Sequence, residues 1–169
     1  HTLLQGLLGY AYCCPDMVGG GILDCFNKGQ KMDEELFVRW AQANVFMGMM
    51  QMSVSPWRVL NEENAARVVK ALKLHASLGE TFYRLAQNAA QTGEPITRHM
   101  AYAFPGQGFE SVSTQFMLGD RLLAAPVLEK GATEKKVRLP EGRWKGWNGE
   151  TFRGGCTVTL PVTMDDIPH

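Results

Sequence analysis

A long helical segment between two short apolar segments is the feature of this sequence that most restricts its fold. The helix is predicted over residues 61–93, because its first residue is a suitable N-cap, apolar residues recur every three or four positions, and its last residue is a glycine with a proline close behind. Gly79 is expected to bend or split this helix. The apolar segments, residues 7–14 and 95–105, have the length and residue types of buried strands. Strands joined by a helical crossover predict an α/β fold with a parallel sheet or barrel.

A second helix is predicted to begin after Asp33. This aspartate is a suitable N-cap, and Glu34 and Glu35 lie in the first turn, where the helix dipole favours negative charge. The residues that follow at helical spacing are Leu36, Trp40, Ala43 and Met47. Gly48 interrupts this pattern, and we expect a loop or strand-like turn from there to Pro56.

The sequence changes character from about Arg121. Short β-branched or alternating segments separated by Gly and Pro, such as "KKVRLPEG", "RWKGWNG" and "CTVTLP", predict an antiparallel β domain. We place a domain boundary between Met117 and Leu122, which divides the chain into residues 1–118 and 119–169. The charged stretch "EKGATEKK" is interpreted as a solvated hairpin turn.

Composition narrows the classes of partner. The chain of 169 residues is 45% hydrophobic and carries 17 basic and 17 acidic side chains, so its charge gives no reason to propose nucleic acid or an anionic membrane as a partner. No apolar segment approaches the ~20 residues of a membrane span. The chain starts with His1 inside an apolar segment, and we expect its natural beginning to lie upstream. The compartment and homo-oligomerisation are left open.

The cysteines do not form a zinc-binding pattern, because no CxxC pair occurs and the histidines lie in distant segments. No metal site is therefore predicted. Cys13 and Cys14 are interpreted as small core residues, with a disulfide from one of them to Cys25 as the alternative.

Asp16 is the best single candidate for a functional residue. It ends the first predicted strand and precedes three glycines, and in α/β sheets and barrels the C-terminal ends of the strands face the ligand. The alternative is a carboxylate that holds loop amides or pairs with a buried arginine. No phosphate-binding glycine motif and no GxSxG nucleophile motif is present.

Arg98 and His99 lie in the second predicted strand, so one of them should face inward. An inward arginine needs a carboxylate, and Asp16 is its expected partner. His99 is interpreted as a structural histidine. Of the tryptophans, Trp57 in a loop is the better candidate for stacking on a sugar, whereas Trp40 on a helix is expected to be core. The adjacent acidic residues at 165–166 are interpreted as an exposed turn.

With these residues in place, the chain resembles the last third of the catalytic region of glycoside hydrolase family 31, the retaining α-glucosidases, α-xylosidases and their relatives. The similar segments occur in order: "GYAYCCPDMVGGG", "ELFVRWAQANVF", "TGEPITRHMAYAFP" and "QFMLGDRLLAAPVLEKGATEKKVRLPEGRWKGWNGE". The resemblance implies the last third of a (β/α)8 TIM barrel, with strands seven and eight near residues 9–14 and 96–100, followed by part of an antiparallel β-sandwich domain.

The resemblance also implies where the chemistry lies. The family's nucleophile and acid/base occur in W-x-D-M-N-E-like and G-D-N-like motifs, neither of which occurs here, so no catalytic residue is predicted in this chain. Retaining hydrolysis needs two carboxyl groups and no metal or organic cofactor. The implied partners are an α-linked oligosaccharide or glycoside and the N-terminal part of the same protein.

One departure from the family pattern bears on the substrate. Where most α-glucosidases of the family have F-x-P-x-x-R-x-H, this chain has "FMGMMQMS", which places Gln51 and Ser53 at the arginine and histidine positions. The sugar hydroxyls are then offered different hydrogen bonds, so a glucose preference is not implied. "PDMVGG" and "MQMSVSPW" resemble a branch of the family that includes an α-galactosidase. Predicted substrate contacts are Asp16, Gln51, Ser53, Trp57 and Arg98. The alternatives are a non-catalytic carbohydrate-binding or interaction protein on the same fold, and a lyase or transglycosylase.

Overall fold

The computed structural model describes residues 1–20 and 32–169. Within them the chain forms mostly helices first and small antiparallel sheets afterwards. The helices are α1 (Thr2–Leu7), α2 (Glu34–Asn44), α3 (Pro56–Val59), α4 (Glu62–Ser77), α5 (Gly79–Thr92) and α6 (Met100–Ala103). The strands are β1 (Thr97–His99), β2 (Phe116–Leu118), β3 (Leu122–Ala124), β4 (Glu134–Leu139), β5 (Arg143–Lys145), β6 (Thr151–Arg153) and β7 (Cys156–Pro161).

The two predicted helix starts are confirmed. The Asp33 side chain accepts a hydrogen bond from the backbone N–H of Leu36 at 3.1 Å, and the Asn61 side chain accepts one from Asn64 at 2.8 Å. The predicted long helix is split at Leu78 into α4 and α5. It ends where expected, at Gly93, which has a φ of 77°. None of the helices among residues 1–20 and 32–169 is both long and apolar enough to cross a bilayer.

The strand predicted over residues 7–14 is wrong. Leu7 ends helix α1, Leu8 is 69% exposed, and Tyr10 and Tyr12 are also exposed. A strand requires a row of hydrogen bonds to a neighbour. The segment has one such bond to a described residue elsewhere in the chain, from Ile96 N–H to the Ala11 carbonyl at 3.2 Å.

The parallel sheet is also not found in the described part of the chain. Strand β1 falls inside the second predicted strand, but it pairs antiparallel with β2, which pairs antiparallel with β3. The one parallel pairing described is an isolated bridge between Val18 and Met52. These residues therefore show no closed barrel.

The antiparallel β region is confirmed. Strand β4 pairs with β7, and β5 pairs with β6. The β2–β3 hairpin crosses the predicted domain boundary, which remains a prediction. The interpretation of "EKGATEKK" as a turn holds only for its first half, because Glu134 begins β4 and Lys135 is buried.

The apolar residues form two clusters. The first lies around α2 and α4, and includes Phe37, Val38, Ala41 and Val68. Of the residues predicted at helical spacing, Trp40 and Met47 pack against this cluster, whereas Leu36 is 56% exposed. The second lies between α6 and the β region, and includes Met100, Phe109, Met117, Leu123, Val137 and Leu139.

Polar residues of α2 and α4 bind the chain where it returns from β7. Arg39 donates to the Thr163 carbonyl at 3.1 Å, and Gln42 donates to the Met164 carbonyl at 2.7 Å. Arg67 forms an ion pair with Asp165 at 3.0 Å. The turn predicted at residues 165–166 is thus anchored to both helices.

Candidate functional site

Two loops that the sequence places far apart lie side by side in the structure. We call residues 16–20 and 51–53 the paired loops. Val18 N–H donates to the Gln51 carbonyl at 2.9 Å, and Ser53 N–H donates to the Val18 carbonyl at 2.9 Å. The structure therefore brings together three of the five predicted substrate contacts: Asp16, Gln51 and Ser53.

Asp16 is exposed at the start of the first loop. Its Oδ1 accepts a hydrogen bond from Met17 N–H at 2.8 Å, and its backbone carbonyl accepts one from Asn44 Nδ2 at 3.4 Å. No cation among the described residues pairs with the carboxylate. The residue is held by its backbone, and its side chain is exposed.

Gln51 and Ser53 have different surroundings. Gln51 is exposed, and its Nε2 lies 3.1 Å from the Sγ of Cys14, which is exposed as well. The Ser53 hydroxyl points inward and lies 3.1 Å from the Val18 carbonyl and 3.2 Å from the Gly20 carbonyl. A hydroxyl has one proton, which these two carbonyls share. Ser53 therefore holds the paired loops together, whereas the Gln51 amide lies at their surface.

Gly19 and Gly20 are required by packing at the paired loops. Both have positive φ, 96° and 42°. A Cβ on Gly19 would lie 2.8 Å from the Phe37 ring and 2.8 Å from Ser53 Oγ, and one on Gly20 would lie 2.8 Å from the Trp40 ring. The absence of side chains at these two glycines leaves space for α2 and Ser53. The third glycine, Gly21, lies outside the described residues.

Trp57 lies at the start of α3 and is 69% exposed. It lines a groove along α4 with Ala65, Val69 and Lys73, and no described contact joins it to the paired loops. A separate apolar cavity of about 620 Å³ is lined by Trp144, Trp147 and Phe152 and includes none of the predicted site residues.

Arg98 faces inward as predicted, but its predicted partner is wrong. Its Nε donates to the Pro95 carbonyl at 2.8 Å, its Nη1 pairs with Asp120, and its Nη2 lies 3.7 Å from Glu94. The reason is the antiparallel pairing of β1 with β2. The turn after β2 carries Asp120 back to the arginine, so the guanidinium is neutralised without Asp16.

The structure also describes His99, Cys13 and Cys14, which the sequence analysis interpreted as structural residues. His99 Nδ1 accepts a hydrogen bond from Ala101 N–H at 3.1 Å and caps α6, as expected of a structural histidine. Cys13 is partly buried and Cys14 is exposed, so Cys14 is not a core residue. The alternative partner, Cys25, lies outside the described residues. In the described part of the chain, no group of His, Cys, Asp and Glu side chains could hold a metal ion.

Asn44 is the residue of this region that the sequence did not predict. It is buried at the end of α2 and holds the Asp16 carbonyl. In the sequence, Asn44 could have been recognised as a polar residue on the apolar side of α2. Arg39 and Gln42 are two further buried polar residues of this helix. Each is buried because it binds a backbone or side-chain group from a distant segment.

Comparisons with known proteins support a single family. Residues 93–169 match the description "Glycosyl hydrolase family 31 C-terminal domain". The chain is 37% identical to the myogenesis-regulating glycosidase of Mus musculus over 176 residues, which cover 99% of this chain and 24% of that protein. It is 31% identical to neutral alpha-glucosidase C of Homo sapiens over 178 residues, which cover 98% of this chain and 18% of that protein.

A solved structure is similar as well. The family 31 dextranase of Flavobacterium johnsoniae, in complex with isomaltotriose, superposes with a TM-score of 0.75 and 33% identity over 80% of this chain and 18% of that chain. The chain spans about a quarter or less of the length of these relatives. Residues 93–169 therefore belong to glycosyl hydrolase family 31, and the chain as a whole corresponds to the C-terminal region of that family's proteins.

Proposed function

We propose that this chain is the C-terminal part of a retaining α-glycosidase, and that the paired loops form one edge of its sugar-binding pocket. The relatives named above include an α-glucosidase and a dextranase bound to an α-linked sugar, which supports this class of substrate. Residues 1–118 are proposed to contribute to the catalytic barrel and residues 119–169 to begin the β-sandwich. The nucleophile and the acid/base are proposed to lie in other parts of the protein.

The observation that carries the proposal is the pairing of the two loops. Asp16 and Gln51 are separated by 35 positions, yet backbone bonds through Val18 hold their segments together and leave both side chains exposed. An outward carboxylate oxygen accepts hydrogen bonds from sugar hydroxyls, and an outward amide both donates and accepts them. The two side chains can thus bind a sugar from one side.

The departure from the family pattern at residues 51 and 53 bears on sugar preference. The Ser53 hydroxyl is used between the two loops, so it is proposed to position Asp16 rather than to bind sugar. Of Gln51 and Ser53, only Gln51 is then proposed to offer its side chain to the ligand. A neutral amide in place of a cation favours a different hydroxyl pattern, and we propose an α-galactoside or another α-glycoside over an α-glucoside.

The proposed contacts of Trp57 and Arg98 with substrate remain predictions. Trp57 lies on a separate groove, and the charge of Arg98 is already neutralised by Asp120 and Glu94. The surroundings of Arg98 favour ion pairing over a direct contact with sugar, whereas Trp57 is exposed on a groove that does not include the paired loops.

The test is to assay the protein at its natural length on α-glucosides, α-galactosides and α-xylosides. Asp16→Asn is expected to lower kcat/KM by about ten- to hundredfold, the effect of losing a hydrogen bond to a charged group. Glu110→Gln, which alters another exposed carboxylate, is the matched control and should change nothing.

Three results would be decisive. Release of no sugar from any substrate refutes the enzyme, and tight sugar binding without release supports the non-catalytic alternative. Normal activity of Asp16→Asn refutes the role of Asp16 while leaving the enzyme intact.

A further inference from the structure

Lys135 is a buried lysine that the proposed glycosidase reaction does not use. It lies in β4, where residues alternate between exposed and buried, and it occupies an inward position together with Val137 and Leu139. Its exposed fraction is 9%. Its Nζ donates to the Thr114 carbonyl at 3.0 Å. A lysine at such a position is unusual, because burial penalises the charged ammonium.

The groups around Lys135 do little to offset that penalty. No carboxylate in the described part of the chain lies within ion-pairing distance of its Nζ. Glu129, in the turn before β4, is the one charged group whose field favours the ammonium, and the residue opposite on β7 is the apolar Leu160. Glu134 and Lys136 point to the other side of the strand. Burial consequently lowers the pKa of Lys135, and the pull of Glu129 only partly opposes this effect.

Three other lysines of the described residues differ from Lys135. Lys130 forms an ion pair with Asp33 at 2.6 Å, which raises its pKa. Lys70 donates to the Asp165 carbonyl at the surface. Lys136 is the neighbour of Lys135 on the same strand and is exposed. It therefore serves as an internal reference for an ordinary lysine.

Lys135 also lines a cavity. The cavity has a volume of about 590 Å³, and its other lining residues include Thr114, Glu129, Thr133 and the exposed Lys136. Lys135 and Lys136 thus border the same cavity and differ in burial. This volume lies within the range of small-molecule sites. A small carbonyl compound could thus occupy the cavity next to the amine.

We propose that Lys135 is a covalent modification site for small aldehydes, including the open-chain form of reducing sugars. The unprotonated Nζ attacks the carbonyl carbon to give a carbinolamine. The C–O bond then breaks as the C=N bond forms, and the two amine protons leave with the carbonyl oxygen as water. The product is an imine, and no oxidant or reductant is consumed.

Burial favours this product in one respect and opposes it in another. A neutral imine removes the penalty of a buried positive charge, whereas it gives up the hydrogen bond to Thr114. The burial that lowers the pKa of Lys135 therefore favours both the reactive neutral amine and the neutral imine over the ammonium.

The test treats the folded protein with glycolaldehyde and sodium cyanoborohydride at neutral pH, which reduces any imine to a stable amine, and maps the modified peptides by mass spectrometry. Lys135 is expected to be modified faster than Lys136, because burial lowers the pKa of Lys135 and so favours the reactive neutral amine. This advantage should shrink as the pH rises through the ordinary lysine pKa of about 10.4, because a lowered pKa then gives Lys135 no further gain in neutral amine.

Two variants complete the design. Lys135→Arg should abolish labelling at position 135, and Lys136→Arg should leave the rate at Lys135 unchanged. Labelling of Lys135 no faster than Lys136, or only after denaturation, overturns the proposal. If Lys135→Arg fails to fold, the comparison of the two lysines within the unaltered protein still decides. The outcome does not depend on glycosidase activity.

Discussion

Replacing Gly19 by alanine tests the packing of the paired loops. Gly19 has a φ of 96°, where an L-residue is strained by about 1–2 kcal/mol. The added Cβ would also lie 2.8 Å from the Phe37 ring, which is buried in the first apolar cluster, and 2.8 Å from Ser53 Oγ. Overpacking of this kind costs about 1–3 kcal/mol. We therefore expect Gly19→Ala to lower the free energy of unfolding by about 2–5 kcal/mol.

Gly9→Ala is the matched control for this prediction. Gly9 has nearly the same φ, 92°, but a Cβ there would meet nothing within 4 Å. Its expected cost is the backbone strain alone, about 1–2 kcal/mol. The two variants are compared by urea denaturation, followed by circular dichroism and tryptophan fluorescence. A cost for Gly19→Ala no greater than that for Gly9→Ala would refute the reasoning that contact with Phe37 and Ser53 requires a glycine.

Three further predictions follow from local contacts. Ser53→Ala should raise KM for an α-glycoside more than it lowers kcat in a steady-state assay, because the loop that carries Asp16 loses its hydrogen bond from the Ser53 hydroxyl. An unchanged KM would mean that the hydroxyl does not position Asp16. Asn61→Ala should cost about 1 kcal/mol in urea denaturation, as for other N-caps, and a loss near zero would contradict the cap. The hydrogen bond and charge of Arg67 lower the pKa of Asp165, so this carboxylate stabilises the fold above its unfolded pKa of about 3.9, and the contribution is lost as the pH falls through the lower folded value. Asp165→Asn should accordingly cost less than about 1 kcal/mol at neutral pH and nothing in stronger acid, and a constant cost at all pH values would exclude the charge as the cause.

Features that depend on neighbouring residues were predictable from the sequence. The caps at Asp33 and Asn61, the split near Gly79 and the end at Gly93 each involve groups within a few positions along the chain. Antiparallel strands with short turns are also local, which explains why the β region was recognised.

Features that depend on distant partners were not predictable. Residues 7–14 have the composition of a strand, but strand formation requires a neighbour, and the described residues supply a single backbone bond to it. The partner of Arg98 depends on which way β2 runs, and an antiparallel neighbour brings Asp120 where a parallel barrel suggested Asp16.

In the candidate site, too, some features could be predicted from the sequence and others depend on distant partners. The sequence singled out Asp16 and Gln51, both of which the structure places at the paired loops. It could not show that the Ser53 hydroxyl turns inward, since this depends on the Val18 and Gly20 carbonyls lying beside it. The inward position of Lys135 could have been recognised from the alternation of "EKKVRL", had the stretch not been interpreted as a turn.

The attachment of residues 163–166 to α2 and α4 has a consequence for folding cooperativity. Arg39, Gln42 and Arg67 bind a segment that follows the last strand, so the β region cannot separate from the helices without breaking these bonds. Such a separation would leave the buried side chains of Arg39 and Gln42 without these carbonyl partners. We expect the described part of the chain to unfold in one transition, with amide hydrogen exchange in α2 and β7 slowed to a similar extent.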